Sequence, residues 1–210
     1  MDFANMHPET HIIALDLSPI QPTYVPENLH FEVDDVEEDW HFGRTFDYIH
    51  VRGMDGAIAD WPRLLKQAYD NLSPGGWIEI FDNEAQWLTD DGSLPDTSAY
   101  HQYLELLHEA AASFGKPLNV SPTYRELLGN AGFTKITDDK RKVPLSPWHS
   151  NPKMIELGHY MQMGMREALE PYVLATATRT SDWNYTQVQV LLAAVRQDLA
   201  NLDHHIYTVA

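Results

Sequence analysis

Acidic side chains follow two apolar runs of the chain at a spacing that suits the recognition of a nucleoside. Asp16 closes the run His11–Leu17. Asp34, Asp35 and Val36 lie 18 to 20 residues later, directly after the run Leu29–Val33. If both runs are parallel strands, these residues share the carboxyl edge of a sheet, where open α/β folds bind ligands. A carboxylate at Asp16 accepts two hydrogen bonds from a ribose diol. In the second group, we expect one carboxylate to accept from an adenine amino group and one backbone N–H to donate to a ring nitrogen.

Each of these carboxylates also has a structural alternative. Asp16 is followed at once by Ser18-Pro19, so its side chain can cap a turn. The acidic residues of the second group can belong to a solvated loop, which is the interpretation we favour for Glu37–Asp39. For Asp35, the spacing from Asp16 favours a functional role, and we expect Leu17 to pack on the same nucleoside.

A second group of candidate residues lies farther along the chain. His50 lies near the end of the apolar run Phe46–Val51, and Arg52 follows directly after it. Arg52 can hold a carboxylate of a ligand or form a stabilising ion pair with a nearby Asp. We expect Arg52, Trp87 and the Met-rich helix Lys153–Leu169 to lie near an acceptor molecule, unless the helices merely bury one another. The remaining histidines lack metal-ligand spacing, so no metal site is predicted, and no residue is predicted as catalytic.

The elements that hold these residues alternate between strands and helices, which predicts an α/β fold with a mainly parallel sheet. The predicted strands are His11–Leu17, Leu29–Val33, Phe46–Val51, Trp77–Phe81, Phe133–Val143 and His205–Ala210. The predicted helices are Met1–Met6, Asp60–Leu72, Ala99–Phe114, a short one from Ser121 to Ala131, Lys153–Leu169 and Asn184–Leu202. Asp60 is expected to cap its helix, since aspartate is a favoured N-cap residue, and Pro62 suits the first turn, where its missing N–H costs nothing.

Composition narrows the class of protein. The net charge of −17 repels phosphate backbones, so nucleic acid is not expected as a direct partner. The absence of cysteine excludes disulfides and thiolate zinc sites. No apolar run approaches the ~18 residues of a membrane span, and the first residues do not resemble a secretory signal. We therefore expect a cytoplasmic or nuclear protein that does not bind membranes.

Four motifs taken together resemble one protein family. L-D-L-S-P-I-Q-P, F-E-V-D-D-V-E-E-D-W, F-D-Y-I-H-V-R and L-S-P-G-G-W-I-E are similar to segments of the fungal class I S-adenosylmethionine-dependent methyltransferases related to LaeA, the regulator of secondary metabolism. The resemblance covers essentially the whole chain. It implies a Rossmann-like sheet in the order 3-2-1-4-5-7-6, S-adenosylmethionine as cofactor, Asp16 on the ribose, and Asp35 and Val36 at the adenine. It also implies a small-molecule or protein methyl acceptor above strands 4 and 5.

One departure from this family pattern leaves the activity open. Residues 1–10 contain no G-x-G-x-G loop of the kind that follows strand 1 in the family. We therefore expect a single methyltransferase-like domain over residues 1–210 that lacks strand 1, is incomplete at its N-terminus and in its last strand, and carries extra helical cover. Cofactor binding is then expected to be weak or lost. Two functions follow: a methyltransferase of fungal secondary metabolism, or an inactive methyltransferase-like binding or regulatory protein, with a truncated gene product as a further alternative.

Overall fold

Strands and helices alternate in the first half of the fold, and helices predominate in the second. The computed structural model describes residues 1–180 and 183–210. In chain order the elements are α1 (Asp2–Met6), β1 (Ile12–Asp16), β2 (Leu29–Val33), β3 (Phe46–Arg52), α2 (Trp61–Asp70), β4 (Leu72–Phe81), α3 (Ala99–Ser113), a 3-10 turn (Ser121–Thr123), α4 (Tyr124–Ala131), β5 (Lys142–Pro144), α5 (Pro152–Thr180), α6 (Tyr185–Ala200) and β6 (Tyr207–Val209).

The strands form three two-stranded sheets in place of the single sheet expected from the sequence. β1 pairs in parallel with β2, β3 pairs in parallel with β4, and β5 pairs with β6 in antiparallel orientation. No ladder joins β1 to β3 within the described ranges. The two parallel pairs are therefore separate sheets, since no described strand forms a ladder with both of them.

The predicted strand Phe133–Val143 is wrong over most of its length. Only Lys142–Pro144 forms a strand, and it pairs with Tyr207–Val209. Lys135 has φ 56°, so the backbone turns inside the segment where the alternating pattern predicts a straight strand, and Gly132, directly before this segment, has φ 107°. Both values lie in the left-handed region, which an extended strand does not use.

Helix α2 covers one face of the β3–β4 pair. Asp60 caps its N-terminus, as predicted, by accepting a hydrogen bond from the Arg63 N–H at 2.9 Å. A sheet core forms where this helix meets the strands; its buried members are Val51, Ile58, Trp61, Leu64 and Leu65. The helix leaves the opposite face of the pair open.

Helices α3, α5 and α6 pack on one another around a second, larger core. Its buried members, called here the helical core, are Trp87, Tyr100, Tyr103, Leu106, Leu145, Leu169, Val173, Ala177, Val188, Leu191, Leu192, Val195, Leu199 and Ile206. α5 continues through Pro171 beyond its predicted end at Leu169, because Val173 and Ala177 are fully buried on the same side of the helix. Burial of an aliphatic side chain contributes about 1.5–3 kcal/mol, which offsets the hydrogen bond that proline removes. No helix in the described part combines the length and apolar character of a membrane span.

Candidate functional site

The ends of β1 and β2 lie side by side and bring the first candidate group together. In the ladder Asp16 is opposite Val33, the last residue of β2. The Asp34 N–H donates to the backbone oxygen of Asp16 at 3.2 Å, which extends the pairing by one step. Asp16, Asp34 and Asp35 therefore share one edge of this pair, as the spacing in the sequence predicts.

Asp16 caps a turn and still has capacity for a ligand. Its Oδ1 accepts a hydrogen bond from the Ser18 N–H at 2.8 Å. No donor reaches its Oδ2 among the residues that the structure describes. The side chain is partly buried, and the neighbouring Leu17 is 69% exposed. A carboxylate has about four lone-pair positions, so Asp16 can accept hydrogen bonds from the turn and from a ribose diol at the same time.

The residues after β2 form a tight turn around Asp35. Asp34 Oδ1 accepts from the Asp35 N–H at 2.8 Å, and Asp35 Oδ1 accepts from the Glu37 N–H at 2.9 Å. The Glu38 N–H donates to the Asp35 carbonyl at 3.0 Å. Within the described ranges, the Val36 N–H has no acceptor and the second oxygen of Asp35 has no donor. The turn thus offers one N–H and one carboxylate oxygen next to each other.

Glu37 is not the solvated residue that the sequence predicts. Its Oε1 accepts from the Ala59 N–H at 2.7 Å and the Asp60 N–H at 3.1 Å, and its Oε2 accepts from Lys116 Nζ at 2.7 Å. Burial alone would raise the pKa of Glu37, but Lys116 and the two backbone N–H groups outweigh burial and lower it. Asp39 keeps the expected character, since its side chain is 77% exposed and pairs with Arg63 at 2.9 Å.

His50 and Arg52 lie on the open face of the β3–β4 pair. Arg52 is the last residue of β3, and its Cζ lies 5.6 Å from the ring centre of Phe81 on β4. His50 Nδ1 lies 3.4 Å from Glu79 Oε2. The cation–π contact replaces the ion pair with Asp that was one alternative for Arg52; no carboxylate partner of Arg52 occurs in the described part of the chain.

The same face exposes a group of aromatic side chains. Tyr48 is 44% exposed, Trp77 58% and Phe81 42%. Tyr48 donates its hydroxyl hydrogen bond to Glu79, and burial together with this carboxylate raises the pKa of Tyr48 to about 12. We call this surface the open face of the β3–β4 pair; it presents aromatic rings, one guanidinium and one imidazole to solvent.

Two carboxylates that the sequence analysis missed follow the ends of β3 and β4. Asp82 comes directly after β4 and is 9% exposed, and its Oδ2 accepts the Tyr124 hydroxyl at 2.7 Å. Asp55 comes shortly after β3, and its carboxylate accepts from the N–H groups of Asn119 at 2.8 Å and Val120 at 3.0 Å. Burial raises the pKa of Asp55 in spite of these two donors. The rule that identified Asp16, an acidic residue at the end of a strand, would also have found both.

Trp87 and the Met-rich helix lie in the helical core. The ring of Trp87 is 8% exposed and stacks on Tyr100 with centroids 4.2 Å apart and planes at 2°. Met161 and Met165 of α5 pack against the same core. We therefore leave Trp87 and this helix out of the site, because the helices bury their apolar surface on one another. The segment that reaches the strand ends is the loop of residues 115–120, which follows α3.

The described residues contain no cluster of side chains suited to bind a metal ion. No three His, Asp or Glu side chains come together there in a way that could hold a metal ion.

Comparison with known proteins assigns the family. The family described as "Methyltransferase domain" matches residues 3–138. Methyltransferase pytC of Aspergillus terreus is 35% identical over 206 residues, which cover 98% of this chain and 64% of that protein. Secondary metabolism regulator LAE1 of Cochliobolus heterostrophus is 32% identical over 211 residues, which cover 99% of this chain and 69% of that protein. Protein-methionine methyltransferase laeA of Emericella nidulans is 30% identical over 213 residues, covering 100% of this chain and 56% of that protein.

This chain thus corresponds to part of the length of its curated relatives, 64% in the case of pytC. The family match spans β1 to β4, the elements that carry the acidic strand ends. S-adenosylmethionine is the cofactor of this family. The chain belongs to the LaeA-like S-adenosylmethionine-dependent methyltransferases of fungi.

Proposed function

We propose that this chain forms the cofactor-binding part of a methyltransferase of fungal secondary metabolism, which acts on a small-molecule or protein acceptor. The observation that supports this most is the edge shared by β1 and β2. There, among the residues that the structure describes, partly buried Asp16 keeps one carboxylate oxygen without a donor, and the turn after β2 presents the Val36 N–H without an acceptor. These groups suit an adenosine.

The residues at this edge fit the adenosine part of S-adenosylmethionine. Asp16 holds the ribose diol, Asp35 accepts from the adenine amino group, and the Val36 N–H donates to a ring nitrogen. Leu17, which is 69% exposed, supplies apolar surface beside the ribose, and Asp34 fixes the start of the turn through the Asp35 N–H. When bound, the cofactor supplies an electrophilic methyl group. The chain contributes to transfer mainly by alignment, which is a large part of catalysis when two reactants must meet in line.

We place the acceptor above the ends of β3 and β4. The loop of residues 115–120 covers this region through its hydrogen bonds to Asp55, and Tyr124 closes it from the side of α4. His50 and Arg52 remain candidate acceptor contacts from the adjoining open face. In this arrangement the carboxylates of partly buried Asp55 and buried Asp82 hold the cover in place.

We also propose a strand order for the complete sheet. β2-β1 and β3-β4 occupy the positions of strands 3-2 and 4-5 of the family, with the strand 1 position between β1 and β3. The Glu84 N–H, just past β4, donates to the Val209 carbonyl at 2.8 Å, and Leu88 forms an antiparallel bridge with Tyr207. These contacts support β6-β5 as the strands that follow β4, in the positions of strands 7 and 6.

Titration with S-adenosylhomocysteine tests the cofactor site. Asn in place of Asp16 keeps an oxygen for the Ser18 N–H but loses the charge and one acceptor. Hydrogen bonds to charged groups contribute about 1.5–3 kcal/mol, so we expect Asp16→Asn to weaken binding by about 10-fold or more in isothermal titration calorimetry. Asp47→Asn is the matched control, because Asp47 is exposed and lies at the opposite end of β3 from the strand ends of the site, and this variant is expected to bind like the wild type. Equal affinities of wild type and Asp16→Asn would contradict the assignment.

A second function is favoured by one observation. β1 and β3 share no ladder in the described ranges, so the two halves of the proposed site are not joined by a continuous sheet. This arrangement suits a methyltransferase-like protein that serves as a binding or regulatory partner. A wild-type chain that shows no saturable binding of S-adenosylhomocysteine would support this second function over the first.

A further inference from the structure

We propose that Glu37 is a positioning residue that holds the groups facing the adenine end of the cofactor. We also propose that Lys116 couples this positioning to the loop that covers the acceptor side. The inference rests on the proposed function, since it concerns the same site. It joins two segments: the adenosine turn, residues 34–38, and the cover loop, residues 115–120. Through the Glu37–Lys116 pair these two segments move as one unit.

Glu37 ties the adenosine turn to the body of the domain. Its carboxylate accepts the N–H groups of Ala59 and Asp60, which lie at the start of α2. Arg63, in the first turn of α2, donates to the Glu37 carbonyl. Both ends of this residue are therefore bonded to the same helix terminus, and its side chain is only 20% exposed.

Lys116 reaches Glu37 from a distant part of the sequence. Its Nζ donates to Glu37 Oε2 at 2.7 Å and also to the Ala57 carbonyl. The side chain is 36% exposed, so water screens the pair less than it screens a fully exposed one. Because Asn119 and Val120 bind Asp55 a few residues later, the cover loop is held at the ends of both β2 and β3.

The position of Glu37 controls the groups offered to the adenine. The Glu37 N–H donates to Asp35 Oδ1, which fixes the carboxylate of Asp35 within the turn. Val36 lies between these two residues, so a displacement of Glu37 also moves the free N–H. Loss of the ammonium of Lys116 leaves one oxygen of Glu37 without its donor and allows this displacement.

The substitution Lys116→Met tests the coupling, because it removes the charge and keeps the aliphatic stem. Hydrogen–deuterium exchange of residues 34–38 in the ligand-free chain is the first measurement, and we expect exchange to rise about 5-fold or more. The affinity for S-adenosylhomocysteine, measured by calorimetry, is expected to fall by a similar factor. Lys116→Arg retains the ion pair and is expected to restore both values toward those of the wild type.

Lys140→Met is the matched control. Lys140 pairs with Glu84 at 3.4 Å, in a pair whose carboxylate is also mostly buried at 11% exposure, but it lies outside both segments. We expect this variant to change neither exchange in residues 34–38 nor ligand affinity, even if both lysine variants melt at the same lower temperature.

Two results would overturn the inference. One is unchanged exchange in residues 34–38 of Lys116→Met, which would show that the segments are not coupled. The other is unchanged affinity for S-adenosylhomocysteine in a chain that binds it, which would leave the pair with a structural role only. A wild type that does not bind this ligand refutes the proposed function instead, and the exchange measurement still shows whether the segments are coupled.

Discussion

Replacement of Gly158 by alanine tests how closely helix α5 approaches the chain that follows β5. Gly158 is buried, and a Cβ added to it would lie 2.7 Å from the carbonyl carbon of Ser146 and 2.9 Å from the nitrogen of Pro147. Real Cβ atoms rarely come within 3.0 Å of such neighbours. Both neighbours are backbone atoms, and Ser146 and Leu145 are 0% and 1% exposed, so the segment has little room to move.

Two opposing effects determine how much Gly158→Ala changes the free energy of unfolding. Alanine is more favourable than glycine in a helix interior by about 1 kcal/mol. Overpacking of a dense core costs about 1–3 kcal/mol and more where backbone must shift. We expect the second effect to exceed the first, so that Gly158→Ala lowers the free energy of unfolding by about 1–2 kcal/mol and Tm by about 2–8 °C.

Gly164→Ala on the same helix isolates the propensity effect. A Cβ at Gly164 meets no described atom within 4 Å, and the residue is exposed. This variant is expected to raise Tm by about 2–4 °C. Thermal unfolding followed by circular dichroism at 222 nm compares both variants with the wild type. A Gly158→Ala protein as stable as Gly164→Ala would refute the close approach of α5 to Ser146.

Two further predictions concern the carboxylates behind the strand ends. The raised pKa of Asp55 means that its contribution to stability is fully present below the unfolded pKa, near 3.9, and is lost as pH rises through the folded pKa. We therefore expect the difference in unfolding free energy between wild type and Asp55→Asn to fall with increasing pH in urea titrations; a constant difference would contradict this. Tyr124→Phe removes the donor to buried Asp82 and is expected to cost about 1–3 kcal/mol in the same assay. Tyr160→Phe, at a residue 62% exposed, should match the wild type, and equal losses in both variants would speak against a buried Tyr124–Asp82 bond.

Features that depend on neighbours in sequence were predictable. Asp60 and Pro62 predict the start of α2 because a cap bonds to residues of its own first turn, and the structure confirms it. The position of Asp16 beside Asp34 follows from the ends of two apolar runs, once these are taken as parallel strands. In both cases the physical cause lies within a few residues or in a simple strand pattern.

Features that depend on distant contacts were not predictable. Residues 133–141 alternate between apolar and polar side chains like a strand. Such alternation shows which side chains would share one face of a sheet, but it does not supply a neighbouring strand to pair with. Within the described ranges these residues join no ladder. α5 passes Pro171 because Val173 has the helical core to pack against. Glu37 looks like one more residue of an acidic loop, since the lysine that binds it is 79 residues away.

The edges of the two parallel pairs that no described strand covers bear on how copies of this chain behave toward one another. Strands with unpaired N–H and C=O groups readily take up a strand from another molecule, and the exposed rings of Tyr48 and Trp77 on the adjoining face add apolar surface. A net charge of −17 opposes such encounters, because like-charged molecules repel at long range. That repulsion extends about 10 Å at 0.1 M salt and about 3 Å at 1 M. We therefore expect the net charge to keep copies of the chain apart, and concentrated salt to remove this protection while the unpaired strand edges remain.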